Sequence, residues 1–446
     1  LGLSLSNVDF AVVLSSEQLT QAQRDAGTHV REWSSAQASS GSASFVGVDG
    51  LTVAADQLNV SVNRAAWDNS VVDFREGATA LTVPTGPGAS ISMNLDGRRG
   101  ELTEVAGHMN LDVFGFVQLE GDFAIDKASQ VHQITLADGS TSEAQLLTIG
   151  GHDINAFAGV NGGSADELGL KLGGVDFALA MYSDVGDELR SWTALQATAS
   201  SAALVGVSGL TAQGQDLLVE VNRAGKDGDV VIDFGLKDDQ DPGQGRVNAL
   251  TVRTGNDSQI EMTLDGDAGE LTRAAGYINL DAFGFFQVSG QVAIERRDAG
   301  FVLNDGVISD DPALATAPTE IKASLLTIGG SGLDAFAGIN GNSADRLGLS
   351  LSDVDFGVAL ITEQLPEGST DTAREFTTVK ATAGEVAFVG IDGVNVAATD
   401  LMVEINRGIA GENGAADLVV DYAGEQLEVM AGSQGQTGVL DSEGRL

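Results

Sequence analysis

The chain has 446 residues, 43% of them hydrophobic, which is enough for two or three domain cores. Its 64 acidic side chains against 23 basic ones give a formal charge of −41, a field that repels nucleic-acid phosphates and anionic lipid headgroups. The absence of cysteine excludes disulfides, thiolate metal sites and a cysteine nucleophile, and no apolar run reaches membrane-spanning length.

Fifty-eight glycines and only 5% aromatics suit strands and turns rather than long helices. In chain order, the first predicted element carries Leu1, Leu3 and Leu5, then Val8, Phe10, Val12 and Leu14, an alternation broken by one three-residue step at Ser6-Asn7. Strict period two predicts strands with one buried and one solvated face, and the step predicts a corner between two of them. Asp9, like Asp176 and Asp355 in the later copies, falls between apolar positions and is expected to point outward as a solubility charge. Trp33, two residues after Arg31, reads as a core or edge plug. A second frame, Leu51 to Val62, follows a Phe45 to Gly50 lead and ends on Asn63-Arg64, where the amide is expected to satisfy backbone groups. Asp96 and Glu101 bracket a hairpin turn, and a looser third frame runs from Phe114 to Ile125.

The whole pattern then recurs. Leu1 to Phe10 returns as Leu168 to Phe177 and as Leu347 to Phe356, at offsets of 167 and 179 residues. Trp192 and Phe376 repeat Trp33, Asn222 and Asn406 repeat Asn63, and Asn279 to Phe285 repeats Asn110 to Phe116. The domain organisation predicted is repeat 1 at 1–167, repeat 2 at 168–346 and a truncated repeat 3 at 347–446. The fold class predicted is all-β, an elongated tandem-repeat solenoid or continuous stacked sheet, with a string of β-sandwiches as the rival. Copies differ in length at Lys237 to Gly245 and Asn304 to Pro318, which are expected to be surface loops open to binding specificity. Leu1 and Leu446 both fall in mid-unit, so further copies are expected to stack head to tail.

Candidate chemistry is sparse. All four histidines lie in the first copy and no nucleophile elbow is present, so no enzyme is predicted; carboxylates in a β-helix groove acting on polysaccharide are the weaker alternative. Gly329 to Ala337 matches a calcium nonapeptide, Gly-Gly-x-Gly-x-Asp-x-apolar-x, and Gly150 to Ala158 is a degraded version. Asp153, Asn155 and Asp334 are therefore the candidate calcium ligands, set against a plain glycine-rich turn.

Motifs such as Phe45-Val-Gly-Val-Asp-Gly-Leu-Thr-Val53, followed by Leu58-x-Val-x-Val-Asn63 and Phe114-Gly-Phe-x-x-Leu-x-Gly-x-Phe123, resemble repeats of giant bacterial exoproteins. The resemblance is one of repeat style over the entire chain. It implies export, an extracellular or cell-surface location and no catalysis, with further repeats, glycans or cell surfaces as partners. The expected function is a structural component of a filament, stalk, sheath or matrix. A ligand-binding adhesin using the variable loops is the alternative.

Overall fold

A computed structural model of the chain describes residues 2–226, 228–235, 249–304, 319–366, 368–408, 418–423 and 426–433. The first repeat contains β1 (Gly2–Ser16), a one-turn helix α1 (Gln21–Asp25), β2 (Glu32–Val46), β3 (Leu51–Arg64), β4 (Leu81–Gly86), β5 (Ala89–Met93), β6 (Leu102–Val113), β7 (Val117–Thr135) and β8 (Thr141–Val160). The second contains β9 (Leu168–Asp184), β10 (Ser191–Val205), β11 (Leu210–Ala224), β12 (Leu250–Arg253), β13 (Gln259–Met262), β14 (Leu271–Ala282), β15 (Phe286–Asn304) and β16 (Thr319–Ile339). The third adds β17 (Leu347–Glu363), β18 (Glu375–Val389), β19 (Val396–Arg407) and the two-residue β20 (Val419–Val420).

Sixteen of these strands form one antiparallel sheet in the order β1-β2-β3-β6-β7-β8-β9-β10-β11-β14-β15-β16-β17-β18-β19, with β20 beside β15. The hairpins β4-β5 and β12-β13 are separate two-stranded sheets. The all-β, continuous-sheet expectation holds, but the corners are not strand ends. Asn7, Gly174 and Asp353 sit inside β1, β9 and β17 with left-handed φ of 49°, 58° and 51°. Each is a kink within one long strand, so a full repeat is six long strands rather than a stack of coils.

The chain divides into two compact units, residues 1–197 with 223–266, and residues 198–222 with 267–446. Within each unit the register fixes which side chains share a face, because directly paired residues point the same way. In the first unit Phe10, Ala38, Val60, Val105, Ile125, Ile149 and Leu179 form one unbroken apolar row. In the second, Val219, Ala274, Ile294, Ile328, Val358, Val379 and Ile405 form its counterpart. These rows lie on the open face: Phe10 is 61% exposed, Ile125 42% and Ile294 45%.

The opposite face is covered by inserts that leave the sheet after the third strand of each repeat. In the first unit, Ala11, Leu102 and Ala128 pack under Phe74, Met93 and Leu95. Ala144, Ala178, Ala180, Tyr182 and Trp192 pack under Ile232, Phe234, Val252, Met262 and Leu264. In the second unit Ala323, Leu325, Ala359, Ile361 and Phe376 pack with Val420, and Ala275 and Ala293 with Met430. The expectation that the large alternating residues of β1 mark its buried face is thereby inverted. Between them Ala11 is buried and Val13 half-buried beneath the insert, because only a low surface lets a second layer of backbone lie close.

Close approaches of this kind fall at Gly150 and Gly329, where a β-carbon would collide with the carbonyl oxygens of Arg253 and Met430. Elsewhere the same inserts bond by backbone to the ends of the long strands, Ala137 N–H to Val231 O at 3.0 Å just past β7 and Asp421 N–H to Val302 O at 2.8 Å near the end of β15. Valine at Gly150 or Gly329 should therefore cost about 1–3 kcal/mol of stability through overpacking. Gly300→Ala, whose β-carbon meets nothing nearer than 3.9 Å, should stay within about ±0.5 kcal/mol in the same denaturant titration.

Candidate functional site

The kinks carry the clearest repeated polar constellation among the described residues. A left-handed residue inside a strand turns its N–H away from the ladder, and a buried or crowded donor needs an acceptor. On β8 and β9 the left-handed residues are Asp153 and Gly174. Asp176 Oδ1 accepts the Asp153 N–H at 2.9 Å, and Asn155 Oδ1 accepts the Gly174 N–H at 3.4 Å. On β16 and β17 the same exchange occurs between Gly332 and Asp353: Asp355 Oδ1 accepts the Gly332 N–H at 2.9 Å, and Asp334 Oδ1 accepts the Asp353 N–H at 3.4 Å. In both pairs the acceptor stands two residues after the left-handed residue on its own strand. Each strand caps the kink of its neighbour.

Asp176 and Asp355, read from the sequence as solubility charges, are thus structural acceptors; Asp176 also meets His152 Nδ1 at 2.6 Å, and Asp355 the Ser331 hydroxyl at 2.7 Å. The candidate calcium residues fall in the same two motifs: Asp153 as a kink residue, Asn155 and Asp334 as caps. The glycines of the nonapeptide have steric duties. Gly150 and Gly329 pass under the inserts, and Gly151 and Gly330 lie under the rings of Phe177 and Phe356. Among the described residues no three His, Cys, Asp or Glu side chains converge as a metal-holding group.

The other repeated residues fasten the inserts. Trp192 and Phe376 are buried, and the Trp33 and Trp192 indoles donate to Ser70 O at 3.0 Å and Val230 O at 2.9 Å. Arg31 and Arg190 lie over these rings at 5.6 and 5.0 Å. Asn63 is fully buried, takes the Ser35 hydroxyl at 2.8 Å and donates to Val72 O at 2.9 Å. Asn406 donates to Val420 O at 2.8 Å. The carboxylates at the turns do the same: Asp73 accepts the Gly97 N–H and Asp233 the Gly266 N–H, each at 3.1 Å. Hydrogen bonding from the Arg75 guanidinium holds the Asp73 carboxyl far below the usual carboxylate range.

A cavity of about 800 Å³ in the second unit is lined by Phe356, Lys380, Glu404, Asn406, Tyr422 and Leu427 among others. The ion pair on its wall, Lys380 to Glu404 at 3.7 Å, is exposed. The variable stretch at 237–245 lies outside the described residues, as does 305–318 of the other. No helix among the described residues is long and apolar enough to cross a membrane. Comparison with protein-family models, with curated proteins and with solved structures returns no match.

Removing a kink cap should be felt in stability. Asp355→Ala leaves the Gly332 N–H without its acceptor and is expected to cost about 1 kcal/mol. Asp9→Ala, at the same repeat position on the edge strand β1, should cost less than about 0.5 kcal/mol. Equilibrium unfolding of both variants checks the contrast.

Titration offers a second test. The hydrogen bond that the His108 imidazolium donates from Nδ1 to Asp122 Oδ1, at 2.9 Å, raises its pKa above the ordinary histidine range, with Glu120 contributing at 3.7 Å. A raised folded-state value means that the pair stabilises the fold fully below the unfolded histidine range. That contribution is lost as pH climbs through the raised value. His108→Gln should flatten the wild-type decline in stability over this window, and histidine NMR titration should place the native transition above 6.5.

Proposed function

We propose that the chain is a structural component of an extracellular or cell-surface bacterial assembly, a filament, stalk, sheath or matrix element built from tandem β repeats. The observation that carries the reading is the way the inserts of repeats 2 and 3 span the junctions between repeats. In the first unit the insert of repeat 2 covers Ala144 on the last strand of repeat 1 and Ala178, Ala180 and Tyr182 on the first strand of repeat 2. In the second unit the insert of repeat 3 covers Ala323 and Leu325 of repeat 2 together with Ala359 and Ile361 of repeat 3. Nearest-neighbour interfaces of this kind suit an array that grows by addition of units.

The repeated side chains support the same reading. Kink caps, aromatic plugs and asparagine clamps all act within the sheet or between sheet and insert. The chemistry that recurs is that of holding backbone together. A net charge of −41 keeps such an array soluble and favours surroundings where salt or divalent cations screen it.

Negative-stain electron microscopy of the full-length protein should show filaments, rods or sheets. Isolated compact globules at every concentration and salt tested would overturn the reading. Binding to glycan arrays that disappears on deleting residues 237–245 would favour an adhesin instead.

A further inference from the structure

The outer edge of β1 carries three features whose equivalents on β9 and β17 are engaged by a neighbouring strand. Asn7 has a left-handed φ of 49°, as do its equivalents Gly174 (58°) and Asp353 (51°). Those two donate their N–H groups to the Asn155 and Asp334 side chains on the preceding strand. Asp9 is the equivalent of Asp176 and Asp355, which accept the N–H groups of the left-handed residues Asp153 and Gly332. Phe10 is the equivalent of Phe177 and Phe356, whose rings lie over Gly151 and Gly330 so closely that a β-carbon there would collide. On β1, whose one sheet neighbour among the described residues is β2, Asp9 is exposed and Phe10 is 61% exposed.

We propose that the edge of β1 is a docking site for one specific kind of strand: the sixth strand of another repeat, of the β8 and β16 type. The proposal rests on the assembly reading above and names the contact through which repeats add. Backbone pairing would supply affinity, as in strand addition generally, and the kink would supply register. The incoming strand needs the sequence Ile-Gly-Gly-x-x-apolar-Asn/Asp-Ala-Phe-Ala. Its second glycine accepts Phe10, its left-handed residue gives its N–H to Asp9, and its Asn or Asp takes the N–H of Asn7. The sixth strands inside this chain are flanked on both sides, β8 by β7 and β9 and β16 by β15 and β17. The donor is therefore a repeat whose own sixth strand is open, and β19, a third-strand type, is not its substitute. A one-residue slip would set Phe10 against a side chain and leave both kink N–H groups without acceptors, so binding is all-or-none in register.

The test uses the full chain and a synthetic peptide of residues 319–339 carrying a fluorophore. Saturable binding by fluorescence anisotropy is expected. Gly330→Val or Asp334→Ala in the peptide, and Asp9→Ala or Phe10→Ser in the chain, should each weaken it at least about tenfold. Because the chain has no cysteine, register can be read directly. Leu349 pairs with Ala337 in the β16-β17 ladder, so Leu3→Cys in the chain should form a disulfide with Ala337→Cys in the peptide and not with Ala323→Cys. No saturable binding, self-association of the peptide alone, indifference to the four substitutions, or cross-linking without regard to register would each overturn the proposal. Filaments seen in the microscope without peptide binding would defeat this contact and leave the assembly reading standing. Peptide binding without filaments would do the reverse.

Discussion

A sheet can be crossed at close range by a second layer of backbone only where its own side chains are small. That steric requirement organises this molecule. Gly150 and Gly329 lie where the insert carbonyls of Arg253 and Met430 press on the strand, and Ala144, Ala178, Ala180, Ala323 and Ala359 extend the low ground around them. The residues just before these glycines put their bulk on the other face, in the transverse rows through Ile149 and Ile328, while Leu102, Leu325 and Ile361 pack against insert side chains. Trp192 and Phe376 then fill the depth left at the margin of the insert. The asparagine clamps follow from the same closeness, since a carbonyl brought down onto a sheet needs a donor there.

The kinks answer a different problem. Strands of 15 to 21 residues, such as β1 and β16, are long for globular proteins, and a left-handed residue near the middle changes their course without ending the ladder. Asparagine, aspartate and glycine are the residues that tolerate this conformation, which accounts for Asn7, Asp153, Gly174, Gly332 and Asp353. Placing Asp or Asn two residues later gives the neighbouring strand its acceptor. Register and kink are specified together by one short motif.

Much of this was legible in the sequence, and the parts that were not failed for identifiable reasons. Alternation over Leu1 to Leu14 and its return at 168 and 347 sufficed for strands, repeats and an all-β sheet. The corner at Ser6-Asn7 was located correctly, but a three-residue step in hydrophobic phase looks the same whether the strand stops or bends. The buried face was misassigned because hydrophobicity ranks Phe10 and Leu14 above Ala11, whereas the inserts select for size. At Gly329 to Ala337 the calcium nonapeptide and the demands of close packing and kinking ask for Gly-Gly, Gly and Asp at the same spacing, so one pattern carries both readings. The reciprocal caps had a readable signal in Asp9, Asp176 and Asp355, each two residues after a corner residue, and only strand pairing shows what they face.

The compact units are out of phase with the sequence period. Residues 223–266 belong to the second copy by sequence yet pack with residues 1–197. A gene that gains or loses copies by recombination therefore exchanges surfaces as well as strands. A breakpoint at residue 168 hands the last strand of one copy to a foreign insert. Tolerance of such events depends on neighbouring copies keeping the same relief of alanine, glycine and tryptophan. Copy number can then drift while the junctions themselves stay under selection, and divergence is expected to collect on the open face and in the stretches where the copies differ in length.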